Sequence, residues 1–548
     1  MFLQRAFFVC LRQKRKRREH WKIVNSWKNL FTFSGKEAYN KKYVRTLKSL
    51  LMESAGDCEK IRMKKLLKKV TAMVSAAALA LSLAACGGGA ASESKPAAPT
   101  NAKPVTITVW TYYNGDQLET FNKLVDEFNN TVGKEQNITV EASSQGSVND
   151  LETNVLAAAE GKVGASELPN IFSAYADTCY VVDQMGLVAD LSSYLTDEEK
   201  AAFPESYITE GDFDDNGTIK IFPVAKSTEL LFLNDTDWQK FAQATGASYA
   251  DLSTVEGLVE TAGKYYDWTD AQTDIPDDGK ALFGRDAMAN YMLIGAKELG
   301  CTIFTVENGK MTVDLTEDVA WKLWDNYYVP FVKGWIAGEG RFRSDDVKTG
   351  NVLAYVGSNS SATYFPKQVQ VSDTDSHDIA LKVLPNPSFA GGKKISVQQG
   401  AGMVVTKTTP EEEAACVTFL KWFTQPENNI QFAVGSGYLP VTHAADDMTM
   451  IENSGLELTD SMKDILSNAI DAVEQDELYT PKPFEGGTDA RKVLEYSMSD
   501  LANADRAAVE EQIAAGVSAA DAEAPYLTDE YFENWYQDLC NKLSAYEG

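Results

Sequence analysis

Three aromatic side chains and an amide lie close together at positions 110 to 115, where the sequence reads Trp-Thr-Tyr-Tyr-Asn-Gly. Flat aromatic faces pack against the C–H faces of sugar rings, and polar groups give directed hydrogen bonds to hydroxyls. Trp110, Tyr112 and Tyr113 are therefore candidates for contacting a hydroxyl-rich ligand. The alternative is that Trp110 and one of the tyrosines belong to the hydrophobic core.

Catalytic motifs are scarce in this sequence. Beyond residue 85 it contains two histidines, His377 and His443, and no Gly-x-Ser-x-Gly elbow, Walker loop or zinc-binding motif. Because Asp and Glu are numerous, a pair of carboxylates that cleaves glycosides stays an alternative. The sequence favours a protein that is not an enzyme and needs no cofactor.

The segment from Asp212 to Ile219 resembles the first half of a calcium-binding EF-hand loop, with oxygen ligands at alternate positions. Its twelfth position, which requires a bidentate glutamate, is Pro223. We therefore expect no metal site. Asn216-Gly217 before Thr218 to Phe222 instead predicts a hairpin turn.

Cys86 follows Leu83-Ala84-Ala85, a basic opening at 63–69 and an apolar run of signal-peptide length at 70–83. The pattern resembles the bacterial lipobox, in which the cysteine thiol receives a diacylglyceryl group and the preceding peptide is removed. Residues 63–85 are thus a predicted signal peptide, and 86–103, rich in Gly, Ala, Ser and Pro, a flexible tether. A secretory segment with an accidental cysteine is the alternative.

Residues 1–62 carry 16 Lys and Arg against 5 Asp and Glu. A signal peptide seldom begins so far into a chain, so we expect translation to start at Met63. A basic, nucleic-acid-binding extension is the alternative. Without residues 1–85 the chain keeps 31 basic and 74 acidic residues, a formal charge of −43. Such a surface repels nucleic acid and favours an extracytoplasmic, dispersed protein.

The remaining 463 residues are enough for two large lobes. They include Cys179, Cys301, Cys416 and Cys540, which are far apart and lack metal-ligand spacing. These cysteines fit buried thiols, and one or two disulfides stay an alternative.

Strands and helices alternate at the start of this region. Strands are predicted at 105–110, 138–142 and 169–173, with helices between them. This order indicates a parallel sheet covered on both faces. Ligands bind at the carboxyl ends of such strands, here near 110–114, 143–147 and 173–177.

Further along, Thr316 predicts the start of a helix that runs to Val329 and stops at Pro330. Another helix is predicted at 286–299 and a strand at 397–405. Thr409 and Pro410 predict the beginning of a helix whose buried face includes Cys416 and Phe419. The last hundred residues are acidic and predicted to be helical, ending with 526–544.

Several segments, in consistent order from about 104 to 500, resemble the extracellular solute-binding proteins (family 1) of ATP-driven sugar importers. These segments include Leu-Pro-Asn-Ile-Phe at 168–172, Phe-Pro-Val-Ala-Lys-Ser-Thr-Glu at 222–229, Gln-Gly-Ala-Gly-Met-Val-Val at 399–405 and Gly-Tyr-Leu-Pro at 437–440. The resemblance implies an α/β, two-lobed periplasmic-binding-protein-like fold of type II, with a solute cleft between discontinuous lobes.

The implied hinge has crossings near 222–228, 384–397 and 437–442. The first lobe would comprise 104–225 and 397–437, and the second 226–396 and 438–548. Partners implied by the resemblance are a small carbohydrate and the membrane subunits of an ABC permease, with the membrane reached through Cys86. A monomer is expected.

Within this family, the glycerol-3-phosphate-binding group gives the most detailed resemblance. By position, its ligand-contacting groups correspond to Ser227, Ser358 or Ser360, Gly400, Tyr438 and Arg491. A tyrosine of that group is Gln145 here, and a glutamate is Ala176, beside Tyr175 and Asp177. These departures put a polyol-phosphate ligand in doubt. Arg491 could hold a phosphate bidentately or pair with a surface carboxylate.

The sequence thus predicts a lipid-anchored receptor that binds a carbohydrate and delivers it to a permease. Alternatives are a glycerol-3-phosphate or polyol-phosphate receptor, a secreted glycan-cleaving enzyme, and a surface adhesin or signalling receptor. The predicted ligand-binding residues are Trp110, Tyr112, Tyr113, Gln145, Tyr175, Asp177, Ser227, Glu229, Ser358, Ser360, Gly400, Tyr438 and Arg491.

Overall fold

The computed structural model describes residues 103–307, 309–340, 342–372 and 374–548. The predicted upstream extension (1–62), the signal peptide (63–85), the lipidation site Cys86 and the tether up to residue 102 lie outside these residues. Within the described ranges, no helix is both long enough and apolar enough to cross a membrane.

Fourteen strands occur in the described residues. In chain order β1 to β14 they are Val105–Thr111, Ile138–Ser144, Ile171–Ala174, Glu229–Asn234, Phe283–Arg285, Phe304–Glu307, Lys310–Val313, Ala354–Ser358, Gln368–Ser372, Asp375–Asp378, Leu381–Pro385, Ile395–Val397, Gly402–Val405 and Glu477–Tyr479.

Helices make up most of the rest of the described chain. In chain order α1 to α19 they are Gly115–Asn130, Val132–Gln136, Val148–Ala159, Ala176–Gln184, Asp197–Lys200, Glu205–Ile208, Asp235–Thr245, Val255–Asp270, Met288–Glu298, Glu317–Asp325, Tyr328–Val332, Arg343–Thr349, Pro410–Phe423, Pro426–Ser436, Met448–Glu452, Asp460–Gln475, Gly487–Ala514, Ala519–Glu523 and Asp529–Leu543.

The first sheet has the strand order β13-β3-β1-β2. Strand β1 runs parallel to β2, with Val105 opposite Ile138, and parallel to β3, with Val109 opposite Ile171. Strand β13 is antiparallel to β3. The three parallel strands are those predicted from the alternating pattern, and their carboxyl ends meet at one edge, as in other doubly covered sheets.

The second sheet has the strand order β11-β4-β8-β5. Its strand β4 reads Glu-Leu-Leu-Phe-Leu-Asn, and every residue of it is buried. Strand β4 is antiparallel to β8 and to β11, whereas β5 is parallel to β8. A strand buried on both faces needs a continuous apolar run, which these four central residues supply.

Separate hydrophobic clusters surround the two sheets. The cluster at the first sheet draws on residues between Ile107 and Ala225 and again between Ala401 and Val441. Clusters at the second sheet draw on Leu230 to Phe389 and on the helical region up to Leu543. The first cluster extends past the predicted boundary at 437 to Val441, whereas Ile430 belongs to a cluster at the second sheet. The lobe boundaries stay a prediction.

Three chain segments cross between the sheets side by side. Lys226 pairs with Leu439, and Ser227 pairs with Gln399, each through backbone hydrogen bonds in both directions. Two of these segments lie within the predicted crossings 222–228 and 437–442. The middle one lies at 398–401, beyond the predicted 384–397, because β12 at Ile395–Val397 still pairs with β14.

Three local predictions are wrong. The helix from Thr316 ends at Asp325, and Pro330 lies in the first turn of α11, where a missing N–H costs no intrahelical bond. The strand predicted at 397–405 is split, since Gly400 has φ +90° and Gln399 pairs with Ser227 instead. No hairpin forms at 216–217, because the Asp212 carboxylate accepts the Asn216 and Gly217 N–H groups and closes a loop.

The candidate ligand-binding cleft

A cavity of about 370 Å³ lies where the two sheets face each other beside the crossing segments. The amino ends of α3 and α4 wall it on the side of the first sheet, and α9 with the amino end of α17 on the side of the second. Val397 to Gln399 and Tyr479 to Lys482 complete the wall. The volume lies within the range of small-molecule sites.

Three predicted ligand-binding residues, Tyr175, Asp177 and Arg491, line this cavity together. Tyr175 precedes α4 as its N-cap residue and is 38 % exposed, and Asp177 lies in the first turn of that helix. Arg491 lies near the start of α17. Residues more than 300 positions apart therefore share one wall, as the ordered resemblance implied.

The Asp177 carboxyl is in an unusual electrostatic environment. Burial raises the pKa of Asp177 to about 6, while the Arg491 guanidinium opposes this shift and Glu152 adds to it. Among the described residues, none forms a hydrogen bond or an ion pair with the side-chain carboxylate of Asp177. An oxygen acceptor that faces a cavity without a protein partner is suited to accept a ligand hydroxyl.

Gly487, the first residue of α17, allows the two sides of the cleft to approach closely. A Cβ atom at this position would lie 2.6 Å from Oδ1 of Asp177. Glycine at 487 therefore leaves the space that the Asp177 carboxylate occupies.

The Arg491 guanidinium donates a hydrogen bond to the buried side-chain amide of Asn290. Its Nη2 donates to Oδ1 of Asn290, whose Nδ2 donates to Oε1 of Glu229 at 2.6 Å. Asn290 lines the cavity, but the predicted ligand contact Glu229 lies one layer deeper and does not. Sequence reasoning missed Asn290, although a polar residue inside the apolar run Met288 to Ile294 was a usable signal.

The remaining tyrosines form a network beside the cavity. The Tyr112 and Tyr438 hydroxyls lie 3.0 Å apart, and the Ser358 and Ser360 hydroxyls 2.9 Å apart. Tyr113 is fully buried against Phe121 and Phe432. None of these residues lines the cavity.

The other predicted ligand-binding residues contact other parts of the protein instead of the cavity. Trp110 is half-buried and packs against the first hydrophobic cluster. The Gln145 side chain contacts Ser143 and Asn154 on the surface. Ser227 takes part in the crossing through its backbone, and the Gly400 carbonyl accepts from Nζ of Lys226 at 3.2 Å. These residues, too, lie outside the cavity wall.

Lys226 is fully buried and forms an ion pair with Glu210, which lines the cavity. Lys226 stands in the segment Lys-Ser-Thr-Glu that the sequence placed at a crossing. Glu210 carried no sequence signal, because it reaches Lys226 only through the folded loop between α6 and the first crossing. One side chain of this pair thus faces the ligand space while the other ties the crossings together.

Two α/β sheets joined by several crossings, with a cavity at the junction, define the two-lobed class of solute-binding proteins. The family model of the bacterial extracellular solute-binding proteins matches residues 123–457. The chain belongs to this family, as its sequence segments suggested, and the family is extracytoplasmic. No curated protein matches the chain.

Solved structures share the fold at low sequence identity. The cyclic α-maltosyl-1,6-maltose binding protein of Arthrobacter globiformis is 17% identical, covers 81% of this chain and 100% of its own, and has a TM-score of 0.56. UgpB of Mycobacterium tuberculosis, in complex with glycerophosphocholine, is 16% identical, covers 80% of this chain and 99% of its own, and has a TM-score of 0.57. The maltotriose binding protein of Thermus thermophilus is 14% identical, covers 80% of this chain and 99% of its own, and has a TM-score of 0.51. These likenesses confirm the predicted α/β fold of periplasmic-binding type.

Proposed function

We propose that this protein is the receptor of an ABC importer, and that it binds a carbohydrate in the cavity and hands it unaltered to the permease. The observation that carries the proposal is the meeting of Tyr175, Asp177 and Arg491 in one cavity beside the crossings. They supply a flat ring, a free acceptor and a donor.

Each of these groups suits a hydroxyl-rich ligand. A carboxylate accepts hydroxyl hydrogen bonds, a guanidinium donates to hydroxyl and ring oxygens, and aromatic rings cover C–H faces. Tyr479, Phe304 and Phe484 add apolar surface to the same wall. Two of the compared structures are named for binding maltose-type oligosaccharides.

Binding would be coupled to a hinge motion. The cavity is walled by elements of both sheets, so a ligand makes all its contacts only when the two sides are together. The closed form would be the shape that the permease recognises. Four predicted residues lie outside the cavity wall and are proposed to contact the ligand when the hinge brings the two sides of the cleft to a different angle. They are Tyr112, Ser358, Ser360 and Tyr438.

Attachment to the membrane is a further part of the proposal. Cleavage before Cys86 and lipidation of its thiol would leave a monomeric receptor tethered through residues 86–103, with translation beginning at Met63. The sequence pattern at 63–86 supports this. Metabolic labelling with a tritiated fatty acid should mark the wild type, and Cys86→Ser should abolish the label.

Calorimetry tests the ligand assignment. The chain without its predicted signal peptide and tether (residues 104–548) is titrated with maltose, maltotriose, acarbose, glucosamine and glycerophosphocholine. We expect heat of binding with at least one neutral sugar, weaker but measurable binding of that sugar in Arg491→Ala, and no glycoside turnover. A chain that binds none of them, or that releases reducing sugar, would contradict the proposal.

A polyol phosphodiester is the second candidate, favoured by one observation. No described carboxylate lies within ion-pair distance of the Arg491 guanidinium, which leaves its charge available to a phosphate. Asp177 and Glu152 on the same wall oppose an anion, so the neutral sugar remains our first choice. Tighter binding of glycerophosphocholine than of any sugar would reverse the order.

A further inference from the structure

We propose that Asn290 is a positioning residue that holds the Arg491 guanidinium in the cavity wall in its ligand-binding orientation. The inference rests on the proposed function, because it concerns how the same cavity presents Arg491 to a ligand.

The three side chains involved form one chain of hydrogen bonds. Asn290 lies on α9 and is 1% exposed. Its Nδ2 donates to Glu229 on β4, and its Oδ1 accepts from Nη2 of Arg491 on α17. A strand and two helices that are distant in sequence therefore meet at a single amide.

The chemistry of the three groups fixes the orientation of that amide. A guanidinium only donates hydrogen bonds, so Arg491 decides which end of the amide faces it. Asn290 must turn its oxygen to Arg491, since the reversed amide would place donor against donor, and its NH₂ then donates to a carboxyl oxygen of Glu229. Glu229 thereby holds Asn290 in place, and Asn290 orients Arg491.

An amide at this position also preserves the charge of Arg491. A carboxylate in place of Asn290 would pair with the guanidinium and neutralise it before a ligand arrives. The amide engages one nitrogen of Arg491 and leaves its charge facing the cavity, whose wall also carries Asp177 and Glu152. Asn290 thus restrains the Arg491 side chain without neutralising its positive charge.

Asn234 provides a matched control. It is also a 1% exposed asparagine with two hydrogen bonds, to the Asp237 carboxylate and from the Asp237 N–H, and it lies outside the cavity wall and the crossing segments. Asn290→Ala and Asn234→Ala both remove a buried amide. A merely structural role predicts similar effects of the two on stability and none on ligand affinity.

A double-mutant cycle tests the proposal in solution. The affinity of the tightest-binding sugar in the calorimetric panel is measured for wild type, Asn290→Ala, Arg491→Ala and the double variant. We expect Asn290→Ala to weaken binding about tenfold in the wild type and less than twofold in Arg491→Ala, while Asn234→Ala leaves affinity unchanged. Equal losses in both backgrounds would overturn the proposal.

Crystal structures give a test that needs no ligand. In Asn290→Ala the Arg491 guanidinium should move by more than about 1 Å, whereas Glu229→Gln, which keeps an acceptor for the Asn290 amide, should leave it in place. An unmoved Arg491 in Asn290→Ala would overturn the inference. If instead Arg491 moves but no sugar binds the wild type, the proposed function fails and the positioning role stands.

Discussion

Lys226 and Glu210 form a buried ion pair inside the set of crossing segments, with only 1% and 5% of their side chains exposed. The Lys226 ammonium also contacts the Gly400 carbonyl, and the Lys226 backbone pairs with Leu439. One residue therefore ties the first crossing to the other two and to the cavity wall. Any change in the angle between the sheets must accommodate this pair.

Lys226→Met should destabilise the protein strongly. It leaves the Glu210 carboxylate buried without a counter-charge, a change that typically costs about 3–5 kcal/mol of the free energy of unfolding. Urea denaturation followed by circular dichroism measures the loss. Adding Glu210→Gln should restore part of it, and a Lys226→Met variant as stable as the wild type would show that the pair contributes little.

Ligand affinity should depend on pH through Asp177. Burial raises the pKa of its carboxyl to about 6, so ionised Asp177 is the main form only above this value. If the carboxylate accepts ligand hydroxyls, affinity is full above about pH 7 and falls up to about tenfold per unit below pH 6. Calorimetry of wild type and Asp177→Asn across pH 5 to 8 measures this.

The control is Asp489→Asn, whose exposed carboxylate pairs with Lys492 on the same helix as Arg491. It should retain the wild-type pH profile, and Asp177→Asn should lose it. The raised pKa also means that the folded protein holds this proton more tightly than the unfolded chain, so stability falls as pH rises through 4 to 6. Asp177→Asn should therefore be the more thermostable protein at pH 8.

Gly487→Ala should weaken ligand binding without unfolding the protein. The new Cβ would lie 2.6 Å from Oδ1 of Asp177, and the carboxylate can rotate away at little cost to the fold. We expect affinity to fall about tenfold and the melting temperature to change by less than about 3 °C, because a single carboxylate at the cavity has to move. Unchanged affinity would remove Asp177 from the ligand contacts.

All four cysteines of the described region are free. Cys179, Cys301 and Cys416 are buried, and burial raises the pKa of the Cys179 thiol, which slows its reaction as a thiolate. Mature protein in 6 M guanidinium without reductant should give four titratable thiols with Ellman's reagent, and native protein no more than one. A count of two would reveal a disulfide.

The parts of the structure that depend on local chemistry were predictable from the sequence. The alternating strands and the cap at Thr409 follow from hydrophobic periodicity and from the positions of Gly and Pro. The crossings near 222–228 and 437–442 came instead from the family resemblance. Pro330 was misread because proline is excluded from helix interiors but not from a first turn.

The site was predictable where the sheet topology or the family resemblance supplied positions. The strand-end rule pointed to the segment with Tyr175 and Asp177, the resemblance supplied Arg491, and the three residues meet in the cavity. Asn290 and Glu210 were not predicted, because their roles depend on partners elsewhere in the chain. The partners of Asn290 are Glu229 and Arg491, about 60 and 200 residues away, and the partner of Glu210 is Lys226, across a loop. No local pattern encodes such pairings.

The order of strands along the chain has a consequence for biogenesis. The second sheet uses residues 229–385, whereas β13, the edge strand of the first sheet, is made only at Gly402–Val405. During amino-to-carboxyl emergence from a translocon, the later sheet has all its strands before the earlier one does. Until β13 has been synthesised, the edge of β3 has no strand to pair with. At this stage the chain is most prone to aggregate and most in need of chaperones.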